Sequence, residues 1–164
     1  PVSNSLTGHG KGSIYLTLIV AIVLTMVPLP AAIDMFRPDW VALVVLYWVI
    51  ALPHHMNVVS AWIVGLLMDI MLGSTLGIHA LGMAVISYVA TAQYQKIRNY
   101  SVWQQALVMG SLIFIGQLLI FWVEHLFASP RLNTRFVWAS LSSMLLWPSV
   151  YLFLRYIRRR FNIR

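Results

Sequence analysis

The sequence predicts an all-α, polytopic membrane protein built as a single domain. Hydrophobic residues make up 60% of its 164 residues and charged residues only 9%, with a mean hydropathy of +0.82. Ordinary soluble domains carry about 25% charged residues. From Trp40 to Gln95 the chain runs 56 residues in which Asp69 is the only Asp, Glu, Lys or Arg. A segment so long and so poor in charge is typical of helices within a lipid bilayer.

Six apolar segments are candidates for membrane spans, because a bilayer core of ~30 Å takes about 20 helical residues. The central apolar stretch contains two helix breakers, Pro53–Asn57 and Gly73–Gly77, which divide it into three short helices. We therefore predict spans at about 14–30, 40–52, 58–72, 78–95, 102–127 and 136–154, and a basic tail at 155–164. The alternative is five spans, with two long helices in the central stretch. No cleavable signal is evident, so the first apolar segment is expected to be retained.

Basic residues concentrate at the carboxy terminus and predict which side of the membrane it occupies. Five of the eleven basic residues lie in the last ten positions: Arg155, Arg158, Arg159, Arg160 and Arg164. A basic cluster directly after an apolar span is typical of the cytoplasmic side and of contact with anionic lipid headgroups. We therefore expect a multi-pass protein of the bacterial inner membrane with a cytoplasmic carboxy terminus, and no nucleic-acid partner. Five spans and six spans divide the basic residues equally well between the two faces of the membrane. The side of the amino terminus therefore depends on the number of spans, which only the helix breakers indicate.

Asp69 is the most unusual residue of the apolar stretch. An acid at the centre of a membrane helix costs roughly 2.5–3.5 kcal/mol on insertion scales and normally has a partner. Gly65 and Gly73 lie four residues before and after it, so a neighbouring helix can approach this face closely. We favour a hydrogen bond between helices. The alternative is a proton or ion relay, although Glu124 and His79, the other candidates for such a chain, are expected near span ends.

The remaining motifs predict structure rather than catalysis. The chain has no cysteine, no His-Glu-x-x-His and no Gly-x-Ser-x-Gly, and the pair His54-His55 has no third ligand nearby. We therefore predict no catalytic residue, no metal site and no cofactor. The segment Arg37-Pro38-Asp39-Trp40 suits a helix start at the membrane interface, and it is also a candidate contact for a partner.

Two blocks of sequence resemble a known family. The first is Arg37-Pro38-Asp39-Trp40 followed by Leu46-Tyr47-Trp48 and Ala51-Leu52-Pro53, and the second runs from Gly65 through Asp69, Gly73 and Gly77 to Leu81. Together with Trp103-Gln104-Gln105 and Trp147-Pro148, these blocks resemble the MreD family of the bacterial rod-shape system, over about residues 14–161.

The resemblance implies a non-enzymatic scaffold of the cell-elongation machinery that supports lateral peptidoglycan synthesis and cell shape. Its implied partners are MreC, the MreB filament, RodA, the elongation-specific transpeptidase and membrane lipids. The MreD family is also similar to the six-helix substrate-binding subunits of energy-coupling-factor transporters. A second hypothesis is therefore a small-molecule or lipid binder, with a pocket lined by Asp69 and by Trp48, Tyr47 or Trp62.

Overall fold

The computed structural model describes residues 6–127 and 135–161, with side chains from residue 11 onward. The described residues form eight α-helices and no strand. They are α1 (Leu6–Met26), α2 (Ala31–Asp34), α3 (Trp40–Ala51), α4 (Val58–Leu72), α5 (Ile78–Ala92), α6 (Tyr94–Asn99), α7 (Val102–Phe127) and α8 (Arg135–Arg160). Residues 128–134, which include Arg131, and residues 162–164 of the predicted tail, which include Arg164, lie outside the described residues.

Helices occupy all six segments in which the sequence predicts spans, but three of these helices differ from the prediction at one or both ends. The first helix begins at Leu6 and ends at Met26, so it lies closer to the amino terminus than the predicted 14–30. After α5, the chain bends at Gln93 and continues as α6, where a loop was expected. The final helix runs on to Arg160, so most of the predicted tail is helical, and its terminal arginines suit the negative end of the helix dipole.

Two helices, α7 and α8, are long and apolar enough to cross a membrane by length and composition. The apolar parts of α1, α3, α4 and α5 are shorter. Six membrane crossings therefore stay a prediction.

The core of the protein is α3, a short helix enclosed by the others. Every residue from Val41 to Ala51 is buried, and the helix packs against α1, α5, α6, α7 and α8. Its 12 residues span about 18 Å, whereas the 26 residues of α7 or α8 span about 39 Å. Both ends of α3 therefore lie recessed between longer helices, and a cavity opens at each end.

Close approaches between helices occur at glycines. A Cβ added at Gly65 in α4 would lie 2.5 Å from the backbone Cα of Ala80 in α5. A Cβ added at Gly110 in α7 would lie 2.8 Å from the Cβ of Met144 in α8. These glycines permit close packing of the pairs α4–α5 and α7–α8, where apolar side chains interlock.

Candidate functional site

The carboxylate of Asp69 lies at the turn between α4 and α5, where it accepts hydrogen bonds from the start of α5. Backbone N–H groups of Gly77 and His79 donate to it at 2.8 and 3.0 Å, and that of Ala80 donates at 3.4 Å. The Ser74 hydroxyl donates at 2.9 Å, and Nδ1 of His79 lies 2.7 Å from the same carboxylate. The first N–H groups of any helix lack partners within it, and the helix dipole favours a negative charge there. Asp69 therefore acts as a cap for α5 supplied from the preceding helix.

The glycines around Asp69 have different local roles. Gly65 lies against the backbone of α5, as described above. Gly73 was expected to present bare backbone to a neighbouring helix, but it ends α4 with φ +66°, and a Cβ there would meet nothing within 4 Å. Gly77 begins α5 with φ +99°. Positive φ values are readily adopted only by glycine, so these two residues shape the turn that brings the α5 amino terminus to Asp69.

Asp69 and the tryptophans of the predicted ligand pocket make separate contacts, and ligand binding there stays a prediction. The indole N–H of Trp48 donates to the Thr17 hydroxyl at 2.9 Å, within the contact between α1 and α3, and Trp48 is buried. Trp62 is exposed on α4. The linings of five cavities among the described residues do not include Asp69.

A second polar cluster surrounds the amino-terminal end of α3. Asp39 caps this helix by accepting a hydrogen bond from the N–H of Ala42 at 3.2 Å. The side-chain amide of Gln117 in α7 donates to the same carboxylate at 2.7 Å, and the N–H of Asp39 donates to the Ser143 hydroxyl in α8 at 3.0 Å. Burial raises the pKa of the Asp39 carboxyl above its usual range, while the bonds from Ala42 and Gln117 act in the opposite direction. Asp39 thus joins three helices.

Arg37 holds the loop before α3 to the end of α1. Its guanidinium donates to the backbone carbonyls of Thr25 and Val27 and pairs with Asp34 at 3.1 Å. Asp34 also pairs with Arg135, at the start of α8, at 2.8 Å. Arg37 was a candidate for meeting a partner's acid, but its bonds here are internal, and only 12% of its side chain is exposed.

The cavity at the amino-terminal end of α3 has a volume of about 360 Å³. Its polar lining comes from four elements and carries both signs of charge: Arg37, Asp39, His79, Gln117, Glu124 and Arg135. Because His79 contacts Asp69 and also lines this cavity, the cap of α5 and the cap of α3 lie next to each other.

The cavity at the carboxy-terminal end of α3, here called the basic cavity, has a volume of about 490 Å³. It is lined by Tyr47, Ile50, Ala51, Arg98, Gln105, Trp147, Tyr151, Arg155, Arg158 and Arg159. Three of the four predicted lipid-contact arginines thus lie at one cavity. The fourth, Arg160, lies outside it and donates to the Tyr156 hydroxyl at 2.7 Å.

Sequence reasoning missed Gln117, Ser143, Gln105 and Arg98 as parts of these clusters. The first three are polar residues inside otherwise apolar segments, and polar groups in membrane helices usually face the bundle interior. These three residues could therefore have been predicted from the sequence to face the interior of the helix bundle. For Arg98, which donates to the carbonyls of Ile50 and Ala51 at the end of α3, no local pattern indicates the partner.

The fold has apolar outer faces, a buried central helix and polar groups that hold helix ends together. These features are those of a helical membrane protein. The family model of the rod shape-determining protein MreD matches residues 9–157. A curated rod shape-determining protein MreD from Haemophilus influenzae is 38% identical over 145 residues, which cover 88% of this chain and 90% of that protein. The chain therefore belongs to the MreD family, which confirms the family prediction and supports a role in cell shape. No solved structure matches the chain, so the likeness to energy-coupling-factor subunits stays a prediction.

Proposed function

We propose that this protein is a non-enzymatic membrane scaffold of the cell-elongation machinery, which supports insertion of peptidoglycan into the lateral wall. The observation that carries this proposal is that two acids, Asp69 within the apolar stretch and Asp39 at its edge, are both engaged as helix caps. A carboxylate with several donors around it stabilises one arrangement of helices, and such a fixed frame suits a protein whose role is to position others. Membership of a shape-determining family agrees with this role.

The proposed partners are MreC, RodA with the elongation-specific transpeptidase, and the MreB filament, bound directly or through the others. Large apolar side chains cover the outer faces of several helices, among them Val59, Ile63 and Ile70 on α4. Such faces suit contact with lipid and with partner helices, since association in a membrane depends on close packing. The polar side chains described above point into the bundle, so the outer faces of these helices are apolar.

The proposed orientation places the carboxy terminus in the cytoplasm and the protein in the inner membrane. The helices α1, α3, α4, α5, α7 and α8 alternate in direction. The ends of α1, α4 and α7 and the starts of α3, α5 and α8 meet at one cavity, whereas the ends of α3 and α8 and the start of α7 meet at the other. The basic cavity and Lys96 then belong to the cytoplasmic side, as the positive-inside rule favours.

The test is depletion of the protein in its own host, with imaging of cell width and of newly inserted wall material. Depleted cells are expected to round and to lose lateral insertion, and re-expression is expected to restore both. Affinity capture of the re-expressed protein from solubilised membranes is expected to recover MreC. Cells that remain rods with normal lateral insertion would contradict the proposal.

A further inference from the structure

The basic cavity carries a concentration of positive charge that no acid balances. Four arginines, Arg98, Arg155, Arg158 and Arg159, line it, and its lining includes no Asp or Glu. The acids lie elsewhere: Asp34, Asp39 and Glu124 are at the opposite end of α3, and Asp69 caps α5. Arginine is the preferred residue for binding phosphate, because its planar guanidinium group presents several hydrogen-bond donors to the phosphate oxygens at once.

Not all four arginines are equally available to a ligand. The guanidinium of Arg98 donates to the carbonyls of Ile50 and Ala51 at 2.8 and 2.6 Å, so it neutralises the negative end of α3 at the cavity floor. Arg155, Arg158 and Arg159, all on α8, line the cavity wall. The donors for a bound anion are therefore expected from α8.

Two buried polar atoms of cavity-lining residues lack a hydrogen-bond partner within the part of the chain that the structure describes. They are the amide oxygen of Gln105, whose residue is 3% exposed, and the indole N–H of Trp147, whose residue is 1% exposed. The Gln105 side-chain nitrogen already donates to the carbonyl of Ile97 at 3.0 Å, which holds the amide in place. A buried donor or acceptor without a partner is unfavourable, so a ligand that reaches these atoms would gain from binding them.

The aromatic residues of the cavity match the membrane–water boundary. The ring of Tyr47 packs against those of Trp147 and Tyr151 with centroids 6.5 and 5.7 Å apart, and Trp147 and Tyr151 are 6.1 Å apart. Aromatic rings with polar tips are typical of the headgroup level of a bilayer. The cavity therefore lies where a phosphate group attached to a membrane amphiphile would be found.

We propose that the basic cavity is a binding site for a phosphate ester that also carries a hydroxyl group. The arginines of α8 and the Trp147 N–H donate to phosphate oxygens, and the ligand hydroxyl donates to the Gln105 amide oxygen. The phosphate belongs either to an anionic phospholipid headgroup or to a soluble organic phosphate. This site is separate from the scaffold function and does not depend on it.

The test compares Arg158→Gln with Arg160→Gln, which removes the same charge from a position outside the cavity. Protein purified from mixed phosphatidylglycerol and phosphatidylcholine is analysed by native mass spectrometry for retained lipid. In a second arm, protein in phosphatidylcholine nanodiscs is titrated with glycerol 3-phosphate, with glycerol as the uncharged control. A headgroup ligand predicts retained phosphatidylglycerol, and a soluble ligand predicts saturable binding of glycerol 3-phosphate.

In either arm Arg158→Gln is expected to weaken binding about ten-fold or more, since it removes a charge-assisted hydrogen bond, while Arg160→Gln has little effect. Trp147→Phe, which keeps a ring and removes the N–H, is expected to weaken binding as well. It provides a second test if Arg158→Gln fails to fold. Equal loss in the Arg158 and Arg160 variants would show surface attraction only and overturn the site, as would the absence of binding in both arms.

Discussion

At the scale of single residues, Asp69 shows how an acid is accommodated within an apolar segment. Its carboxylate is surrounded by two side-chain groups and three backbone N–H groups, all from residues 74–80, in the turn after α4 and the first turn of α5. The cost of burying the carboxylate is offset because these N–H groups would themselves lack partners at the start of a helix. The spacing of glycines around Asp69 predicts contact with another helix. It does not reveal that the contact is with the next helix's amino terminus.

Replacement of Asp69 by Asn is expected to be much milder than replacement by Lys. An amide keeps an acceptor oxygen for part of the backbone cap, whereas a lysine ammonium faces the N–H groups and the positive end of α5. We expect a loss of about 1–3 kcal/mol for Asn from the donors left unpaired. The Lys variant is expected not to accumulate. Membrane levels and melting temperature in detergent measure both, and equal damage from the two changes would contradict the cap.

Gly65→Ala tests the close approach of α4 and α5. The new Cβ would lie 2.5 Å from the Cα of Ala80, and backbone cannot move aside as a flexible side chain does. We expect a destabilisation of about 1–3 kcal/mol, seen as a lower melting temperature in detergent. The matched control is Gly12→Ala in α1, where the added Cβ meets nothing within 4 Å. A Gly65 variant as stable as the Gly12 variant would contradict this packing.

At the scale of the elements, the short α3 organises the molecule because longer helices enclose it. Helix breakers predict its end and the bounds of α4 closely, since Pro53, Asn57 and Gly73 act locally on the backbone. The helix α6 and the extension of α8 to Arg160 were not predicted. Their residues are polar and follow apolar segments, so hydropathy alone indicates a loop there. Arg98 caps α3 from α6 across 47 residues of sequence, and only the folded chain places them together.

Asp39→Ala is expected to destabilise the protein more than Asn57→Ala, although each removes a helix cap. Loss of an ordinary cap costs about 0.5–2 kcal/mol. Asn57 accepts from the N–H of Ser60 at an exposed position, so its loss is expected to fall in that range. Asp39 also binds Gln117 of α7, and its removal leaves that partly buried amide without this partner. Melting temperatures of the two variants measure the difference, and equal values would show that the Gln117 contact contributes nothing.

At the scale of the whole molecule, six helices alternate in direction, and one cavity lies at each end of α3. The sequence predicts this all-helical class from composition and the family from two blocks of residues. The cavities could not be predicted, because they result from differences in helix length that matter only once the helices pack. The polar recesses of the structure lie at the two ends of α3, whereas the sequence suggested a pocket at Asp69.

The alternating arrangement predicts that both chain ends lie on the same side of the membrane. Reporters that distinguish cytoplasm from periplasm, fused ahead of Ser3 and after the last residue, are both expected to give the cytoplasmic signal. A reporter placed between α7 and α8 serves as the control and is expected on the outer side. A periplasmic signal from the amino-terminal fusion would contradict six crossings and favour five.

The central claim is that the intramembrane acid maintains a scaffold rather than transferring protons, and complementation by Asp69→Asn tests it most directly. Cells depleted of the native protein are supplied with the Asn variant at several expression levels. Cell width, membrane level of the variant and recovery of MreC are measured together. The account predicts that rod shape returns whenever the Asn variant reaches the native level and recovers MreC. Round cells at a native level of the variant, with MreC still recovered, would show that an ionisable carboxyl is required and would contradict the account.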